Sequence, residues 1–294
     1  MAQEVVRRLL NPIFEPLFHR ASFGFRPGRN CHQALEQALL YHQAGYRVVL
    51  DADIVGFFDN LPQSLIKEAV AAQVSDGNIL NLVWKFLRAG VMEQGVFKPT
   101  TVGTPQGGVI SPLLANIVLN FLDWQLEQLG YLFVRYADDF IVLCLSIAQA
   151  EEAKTQVTRI LAQLGLALSA EKTRITTYGK GYSFLGFVMS SRSKRMRPKS
   201  QDKFKDKVRE LTVRSHNLDA QLIEKLNRVI QGTALYFATR WSTNRRLFQQ
   251  LDAWIRRRLR CAKFKCFSYH HNHRMRLAKF RQLGLLSLES FCPA

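Results

Sequence analysis

The chain is short of acid. Only 23 Asp and Glu stand against 41 Lys and Arg in 294 residues, a formal charge of +18. Such an imbalance points to a polyanionic partner, a nucleic acid or an acidic membrane surface, and says nothing about a particular fold. No apolar stretch is long enough to span a bilayer, and the opening MAQEVVRRLL lacks the apolar core of a signal peptide. A cytoplasmic, nucleic-acid-associated protein without a membrane partner is therefore expected, an organellar setting also being compatible. Cysteine is scarce. Cys31, Cys144, Cys261, Cys266 and Cys292 are odd in number and scattered, which excludes a disulfide framework and suits free thiols in a reducing compartment. CAKFKCFSYHHNH could hold zinc in principle, but its spacing fits no common finger, and a basic solvated helix end is the preferred reading. Internal repeats and low-complexity tracts are absent. What remains is 47% apolar, as expected of a globular protein with one large domain or two.

Up to about residue 190 the pattern mixes β and α. Tyr46 to Ile54 is almost continuously apolar until its acids and reads as a buried strand with Asp51 and Asp53 on one face. Residues 63–73 and 78–89 have helical spacing, and 91–108 look like an irregular hairpin ending in a glycine-rich turn. Ser111 as N-cap and Pro112 as first helical residue open a helix running to about Gly130, its apolar stripe formed by Ile110, Leu113, Leu114, Ile117, Val118, Phe121 and Leu122. Tyr131 to Cys144 gives two short β segments, and Ile147 to Leu164 an amphipathic helix ended by Gly165. TRITTY and YSFLGFVMS add short strands. SSRSKRMRPKSQDKFKDK reads as a basic linker. Beyond it 200–215, 219–238, 244–262 and 273–283 are helical in pattern, with Leu247, Leu251, Trp254, Ile255 and Leu259 on one buried face. Arg256, Arg257, Arg258 and Arg260 crowd the remainder of that helix. Such a run is commonly just a solvated face. Basic residues recurring through the segment with Tyr, Phe and Trp between them favour a phosphate-tracking surface.

VRYADDFIVLC, 134–144, places Asp138 and Asp139 side by side in an otherwise apolar strand pattern. An exposed hairpin turn would account for them. Two carboxylates in a low-dielectric setting instead need protonation, pairing or a cation. A strand ending in Asp53 and a hairpin bearing Asp138 and Asp139 could converge three carboxylates at adjoining strand ends. Oxygen-preferring divalent ions such as Mg2+ neutralise such a cluster, and two of them can activate a 3′-hydroxyl and stabilise leaving pyrophosphate.

FEPLFHRASFGFRPGRNCHQAL, DADIVGFFDNL, GTPQGGVISPLLANIVLN, VRYADDFIVLC, LSAEKT and YSFLGF occur in this order through the chain. Their sequence and approximate spacing resemble the reverse transcriptases encoded by group II introns, and KLNRVIQGTALYF with LDAWIRRRLR resembles that family's thumb or maturase region. The resemblance implies an α+β fold: a right-hand polymerase palm with partial fingers over 1–190, then a helical thumb or maturase domain over 191–294. It implies RNA-directed DNA synthesis with two Mg2+ ions, Mn2+ being an alternative, on an RNA template with a DNA primer and dNTPs, coupled to binding a structured intron RNA. Asp53 and Asp138 become the principal metal ligands, with Asp139 assisting and the Ile54 carbonyl contributing. A straight strand would point Asp138 and Asp139 to opposite faces, so a tight turn must swing both toward the metals. Phe58 matches the position where a bulky ring blocks a 2′-hydroxyl, a core aromatic being its alternative role. Gln106 would contact the incoming nucleotide, Gly107 and Gly108 would let the backbone come close, and Lys172 would sit near the triphosphate. Arg26 and Arg29 would touch phosphate, or be ordinary surface arginines. Arg256, Arg257 and Arg258 would bind nucleic acid.

The sequence departs from the family pattern in two places. Relatives usually carry further fingers before the segment equivalent to residues 1–30, so a fragment, a natural short form or one piece of a split polymerase is expected. Gln231 to Thr233 replace a more usual Arg-Gly-Trp. Two rival readings stand beside polymerase activity: a catalytically inactive RNA-binding splicing cofactor, and a reverse transcriptase of a defence or diversification system.

Overall fold

A computed structural model gives the fold and describes residues 1–89, 103, 108–213 and 217–293, with the backbone alone of 91–93 and 96–98. Two compact units meet at Leu185 and Gly186.

The first unit opens with α1 (Ala2–Phe14) and α2 (Cys31–Gln43), followed by β1 (Val48–Ala52), α3 (Phe57–Asn60), α4 (Gln63–Ala71) and α5 (Gly77–Arg88). After the antiparallel pair β2 (Val91–Glu93) and β3 (Val96–Lys98) come α6 (Ser111–Gln128), β4 (Leu132–Tyr136), β5 (Asp139–Cys144), α7 (Ile147–Gln163), β6 (Arg174–Thr177) and β7 (Tyr182–Phe184). Local chemistry sets the helix ends. α2 starts at a capping box in which Asn30 accepts from the Gln33 N–H and Gln33 accepts from the Asn30 N–H. α7 starts where Ser146 accepts from the Gln149 N–H and stops before Gly165, whose φ of +66° suits glycine.

The central sheet has the order β4-β5-β1-β6, every pair antiparallel. Its register sets Ala52 opposite Phe140, and Asp51 between Ile141 and Arg174. One face, with Val48, Leu50, Ala52, Phe133, Phe140 and Val142, buries against α6 and α7. The alternate residues Val49, Ile141 and Leu143 are also buried, and α2 crosses β4 and β5 with Ala34, Leu35 and Ala38 inaccessible. Cover on both faces explains why β1 reads as unbroken hydrophobicity rather than alternation.

Three expectations change. α6 begins at Ser111 itself, so Pro112 is one residue further into the first turn; its tolerance there is unchanged, because those N–H groups have no intrahelical partner. Phe121 is 42% exposed and leaves the core stripe, whereas Leu119 and Leu126 join it. The basic stretch 190–207 is no linker: β9 (Lys194–Met196) pairs with β8 (Phe187–Met189), and α8 (Pro198–Leu211) opens on Pro198 at its first position. The helix expected over 200–215 thus starts two residues earlier and ends at Leu211, burying only Phe204 and Val208.

The second unit continues with α9 (Ala220–Phe237), α10 (Arg245–Phe264), α11 (His271–Arg274) and α12 (Leu277–Gln282). Buried Asn244 donates to the Phe237 carbonyl and accepts from the Met196 N–H, tying β9 to the end of α9 just before α10. On α10 the buried face is Phe248, Leu251, Ile255, Leu259 and Ala262, with Leu247 and Trp254 only half-buried. Buried Asp252 accepts from Ser287 Oγ and from the N–H groups of Leu288 and Glu289, anchoring the last turn of chain.

Candidate active site

β1 leads directly into Asp53. Its N–H donates to Thr173 Oγ1, its carbonyl accepts from the Ser169 N–H at 2.8 Å, and its carboxylate accepts from Lys172 Nζ at 3.1 Å. The Val55 N–H donates to the Ala167 carbonyl, and Ile54 bridges Leu168 with its side chain buried. The LSAEKT segment thus forms one wall beside the DADI strand end.

On the other side of β1, β4 and β5 close through the two-residue loop Ala137-Asp138, with Tyr136 opposite Asp139. Ala137 has a φ of +59°, a conformation that hairpin loops usually give to glycine or asparagine. Burial raises the pKa of the half-buried Asp138 carboxyl. Its backbone hydrogen bond opposes this, the Asp53 charge adds to it, and Arg135 and Lys172 offset it. The register, ending with Ala52 opposite Phe140, sets Asp53 at the sheet end that carries the Ala137-Asp138 loop, and the Lys172 ammonium lies on Asp53. Asp139 is the first residue of β5 and exposed, and among the described residues no three acids, histidines or cysteines stand together as a metal-binding group.

Phe58 lies in α3, half-buried on the core and edge-on to Phe57 at 5.1 Å. Gly103 comes up against it: a Cβ there would stand 2.5 Å from the Phe58 carbonyl oxygen and 2.6 Å from that of Asp59, and its φ is +81°. The Gly103 N–H donates to the Leu61 carbonyl, and buried Gln63 donates to the Gly103 and Leu87 carbonyls. This anchors the start of the GTPQGG segment beside α3. Gln106 and Gly107 lie outside the described residues, whereas Gly108 is half-buried just ahead of α6.

The arginines divide by what already holds them. Arg26 is buried, with Glu15 and the carbonyls of Glu15, His19 and Ser22 accepting from its guanidinium, so it is a tie within the loop rather than a surface for phosphate. Arg29 stands half-buried over the Phe23 ring, donating to the Arg20 and Ser22 carbonyls. In the second unit Arg256 and Arg257 line a cavity of about 480 Å³ with Arg260, Trp254, Phe267 and Tyr269. Arg258 turns away to donate to Thr212 Oγ1 and to the Thr212 carbonyl, capping the end of α8. Helical spacing explains the split, because consecutive residues on a helix point about 100° apart.

Arg135 is a residue that the sequence reading passed over. Wholly buried, it donates to both oxygens of buried Asp123, to Asn116 Oδ1 at 2.9 Å and to the Ala137 carbonyl at 2.9 Å. The signal was present: a guanidinium inside a strand needs partners, and Asn116 and Asp123, seven apart on an apolar helix, share one face.

Residues 1–189 match the family described as reverse transcriptase (RNA-dependent DNA polymerase), and residues 201–280 match the group II intron, maturase-specific domain. The group II intron-encoded protein LtrA of Lactococcus lactis subsp. cremoris is 36% identical over 175 residues, covering 60% of this chain and 28% of its own length. Protein YkfC of Escherichia coli is 31% identical over 226 residues, with 63% and 59% covered. This chain therefore spans less than two thirds of the length of these relatives. Apo telomerase from Candida Tropicalis shares the fold with a TM-score of 0.57 at 13% identity, covering 96% of this chain and 51% of that one. No helix among the described residues is long and apolar enough to cross a membrane.

Proposed function

Because the chain belongs to the reverse transcriptase family, with the maturase-specific domain of group II introns after it, we propose that it carries out RNA-directed DNA synthesis. Residues 1–190 would serve as palm with partial fingers, and 191–294 as the thumb or maturase part that binds structured intron RNA. Reverse transcriptases generally use divalent metal ions. The donor set fits them: two carboxylates brought together from a strand end and a hairpin loop, one of them made hard to ionise by burial and by the other's charge, offer hard oxygen ligands and an excess of negative charge. We assign Asp53 and Asp138 as the holders of two Mg2+ ions, or Mn2+, with the Ile54 carbonyl beside them and Asp139 at the exposed rim. When bound, the ions supply the positive charge that activates a 3′-hydroxyl and stabilises departing pyrophosphate.

The chain's own residues supply the rest. Lys172 neutralises part of the acid pair and stands where a triphosphate would need a cation. Phe58 walls the site against a ribose 2′-hydroxyl, backed by Gly103. Arg256, Arg257 and Arg260 with Trp254, Phe267 and Tyr269 offer the basic and aromatic lining that tracks an RNA strand. The placing of Asp53 at the sheet end that carries the Asp138 loop is the observation that carries this reading. Asp138→Ala tests it: Mg2+-dependent dNTP incorporation on a primed RNA template should be lost while RNA affinity persists. Incorporation unchanged from an active preparation would refute the assignment. The basic cavity equally serves a second reading, an RNA-binding splicing cofactor without synthesis, which primer extension by the unmodified chain separates from the first.

A further inference from the structure

The turn carrying Asp138 is held from beneath by a buried device. Arg135 is wholly inaccessible, and so is its ion-pair partner Asp123. One end of the guanidinium meets the two Asp123 oxygens, and its other nitrogen is shared between Asn116 Oδ1 and the Ala137 carbonyl. That last acceptor is the peptide immediately before Asp138. Asn116 in turn donates through Nδ2 to the Gly24 carbonyl at 2.8 Å. The Ala21-to-Gly24 segment then runs alongside β4, the Arg135 N–H donating to the Ala21 carbonyl and the Phe23 N–H to the Arg135 carbonyl. Gly24 finally presses on the turn: a Cβ there would lie 2.3 Å from the Ala137 nitrogen and 2.9 Å from the Tyr136 carbonyl carbon. Two independent features, a charge-assisted hydrogen bond and a steric stop, converge on one peptide.

A buried ion pair is weak evidence for stability as such, because desolvating both charges cancels much of their attraction. Specific geometry is its better-supported product. Here the geometry concerns a loop residue at positive φ that is not glycine, so the loop needs outside contacts to hold it. We infer that Arg135, set by Asp123 and Asn116, acts with Gly24 as the positioning element of the Ala137-Asp138 turn, fixing where the Asp138 carboxylate stands relative to Asp53. The inference rests on the reading of those two acids as the metal-holding pair. None of the four positioning residues touches an ion. They act through the turn, as the outer partners of metal ligands do elsewhere.

The test uses the full 294-residue chain and Mn2+ as probe, with free Mn2+ followed by electron paramagnetic resonance and folding by circular dichroism melting. Asp138→Ala defines the share of Mn2+ binding that belongs to the acid pair. Gly24→Ala inserts the colliding methyl without altering charge. Asn116→Ala removes the link between Arg135 and Gly24 without altering bulk at the turn. Each should weaken that share of Mn2+ binding by about ten-fold or more, the usual effect of losing an outer partner, at temperatures where the variant is fully folded and its RNA affinity is unchanged. If Gly24→Ala does not fold, Asn116→Ala decides alone. Wild-type Mn2+ affinity in a folded variant, whatever its melting temperature, overturns the inference and leaves the Arg135 cluster with a stabilising role only. Wild-type affinity in Asp138→Ala overturns the underlying metal assignment and this inference with it, so the two failures are told apart.

Discussion

Asp123→Ala isolates the worth of the buried cluster to the first unit. The substitution leaves the Arg135 guanidinium at zero exposure with two N–H groups unanswered. Breaking a buried pair from one side costs about 3–5 kcal/mol. Asn116 Oδ1 and the Ala137 carbonyl still accept from the remaining nitrogen, which places the expected loss at the lower end, about 3 kcal/mol. Against a typical domain stability of about 5–15 kcal/mol that is a large fraction. Because the chain has two compact units, a whole-chain melting curve would blend two transitions. Urea-dependent amide exchange avoids this when read at the Phe23 and Arg135 N–H groups, which bond across this unit. Arg135→Met combined with Asp123→Leu should lose less than Asp123→Ala alone, since no uncompensated charge then stays behind. A loss below about 1 kcal/mol in the single variant would show that water or another anion reaches the guanidinium, and the burial argument would fail.

Four further outcomes follow from the placement of individual residues. Replacing Arg256 and Arg257 by Ala should lower the slope of log affinity for single-stranded RNA against log salt, by about 0.7 for each phosphate that the protein no longer neutralises. Arg258→Ala should leave that slope alone and instead reduce protection of the amides at the end of α8, as measured by hydrogen exchange, because it caps Thr212. In the folded chain at neutral pH, iodoacetamide should modify exposed Cys266 and spare Cys144, whose thiol is wholly buried and pushed up to about 11 by that burial. The thiolate is the nucleophile, so a raised value holds Cys144 inert until unfolding, and mass mapping of the labelled peptides checks both sites. Gly103→Ala should destabilise the first unit by more than about 1 kcal/mol, the cost of a left-handed Ala before its collisions with the Phe58 and Asp59 carbonyls are added; exchange at α3 reads it.

Periodicity served where an element has a single exposed face or a sharp chemical end. α7 was legible as 147–164 because Ser146 and Gly165 mark its limits, and β1 because β-branched residues run up to the acids. It served less well for α6, whose buried residues occupy most of the circumference, so no stripe exists to be counted. Of α8, read as 200–215, the start on Pro198 was taken for linker, since a helix that buries two residues leaves little hydrophobic signal. At the site, the positions of Asp53 and Asp138 were legible from a motif. The role of Arg26 was not, because burial depends on Glu15 and on three carbonyls that curl round it only in the folded loop. Arg258 failed for the same reason: nothing local says that Thr212, 46 positions earlier, will meet it.

Asp139 illustrates how backbone geometry decides between adjacent residues of the same type. A two-residue loop has room to redirect two side chains, and in this hairpin they are Ala137 and Asp138. Had the loop moved one position along, Asp138 and Asp139 would both occupy it and Ala137 would lie in the ladder. Phe140 would then pair with Ala137 rather than with Arg135, a shift of two residues that keeps every side chain on its face but takes Arg135 from its place opposite Phe140. The observed register leaves Asp138 in the loop and Asp139 in the ladder, at the cost of a left-handed Ala137 worth about 1–2 kcal/mol. A hydrogen bond from a buried guanidinium to that same residue's carbonyl is of the size needed to offset it, since bonds involving charged groups contribute about 1.5–3 kcal/mol. Strain and clamp thus occupy one peptide, and the residue that follows it in the loop is Asp138.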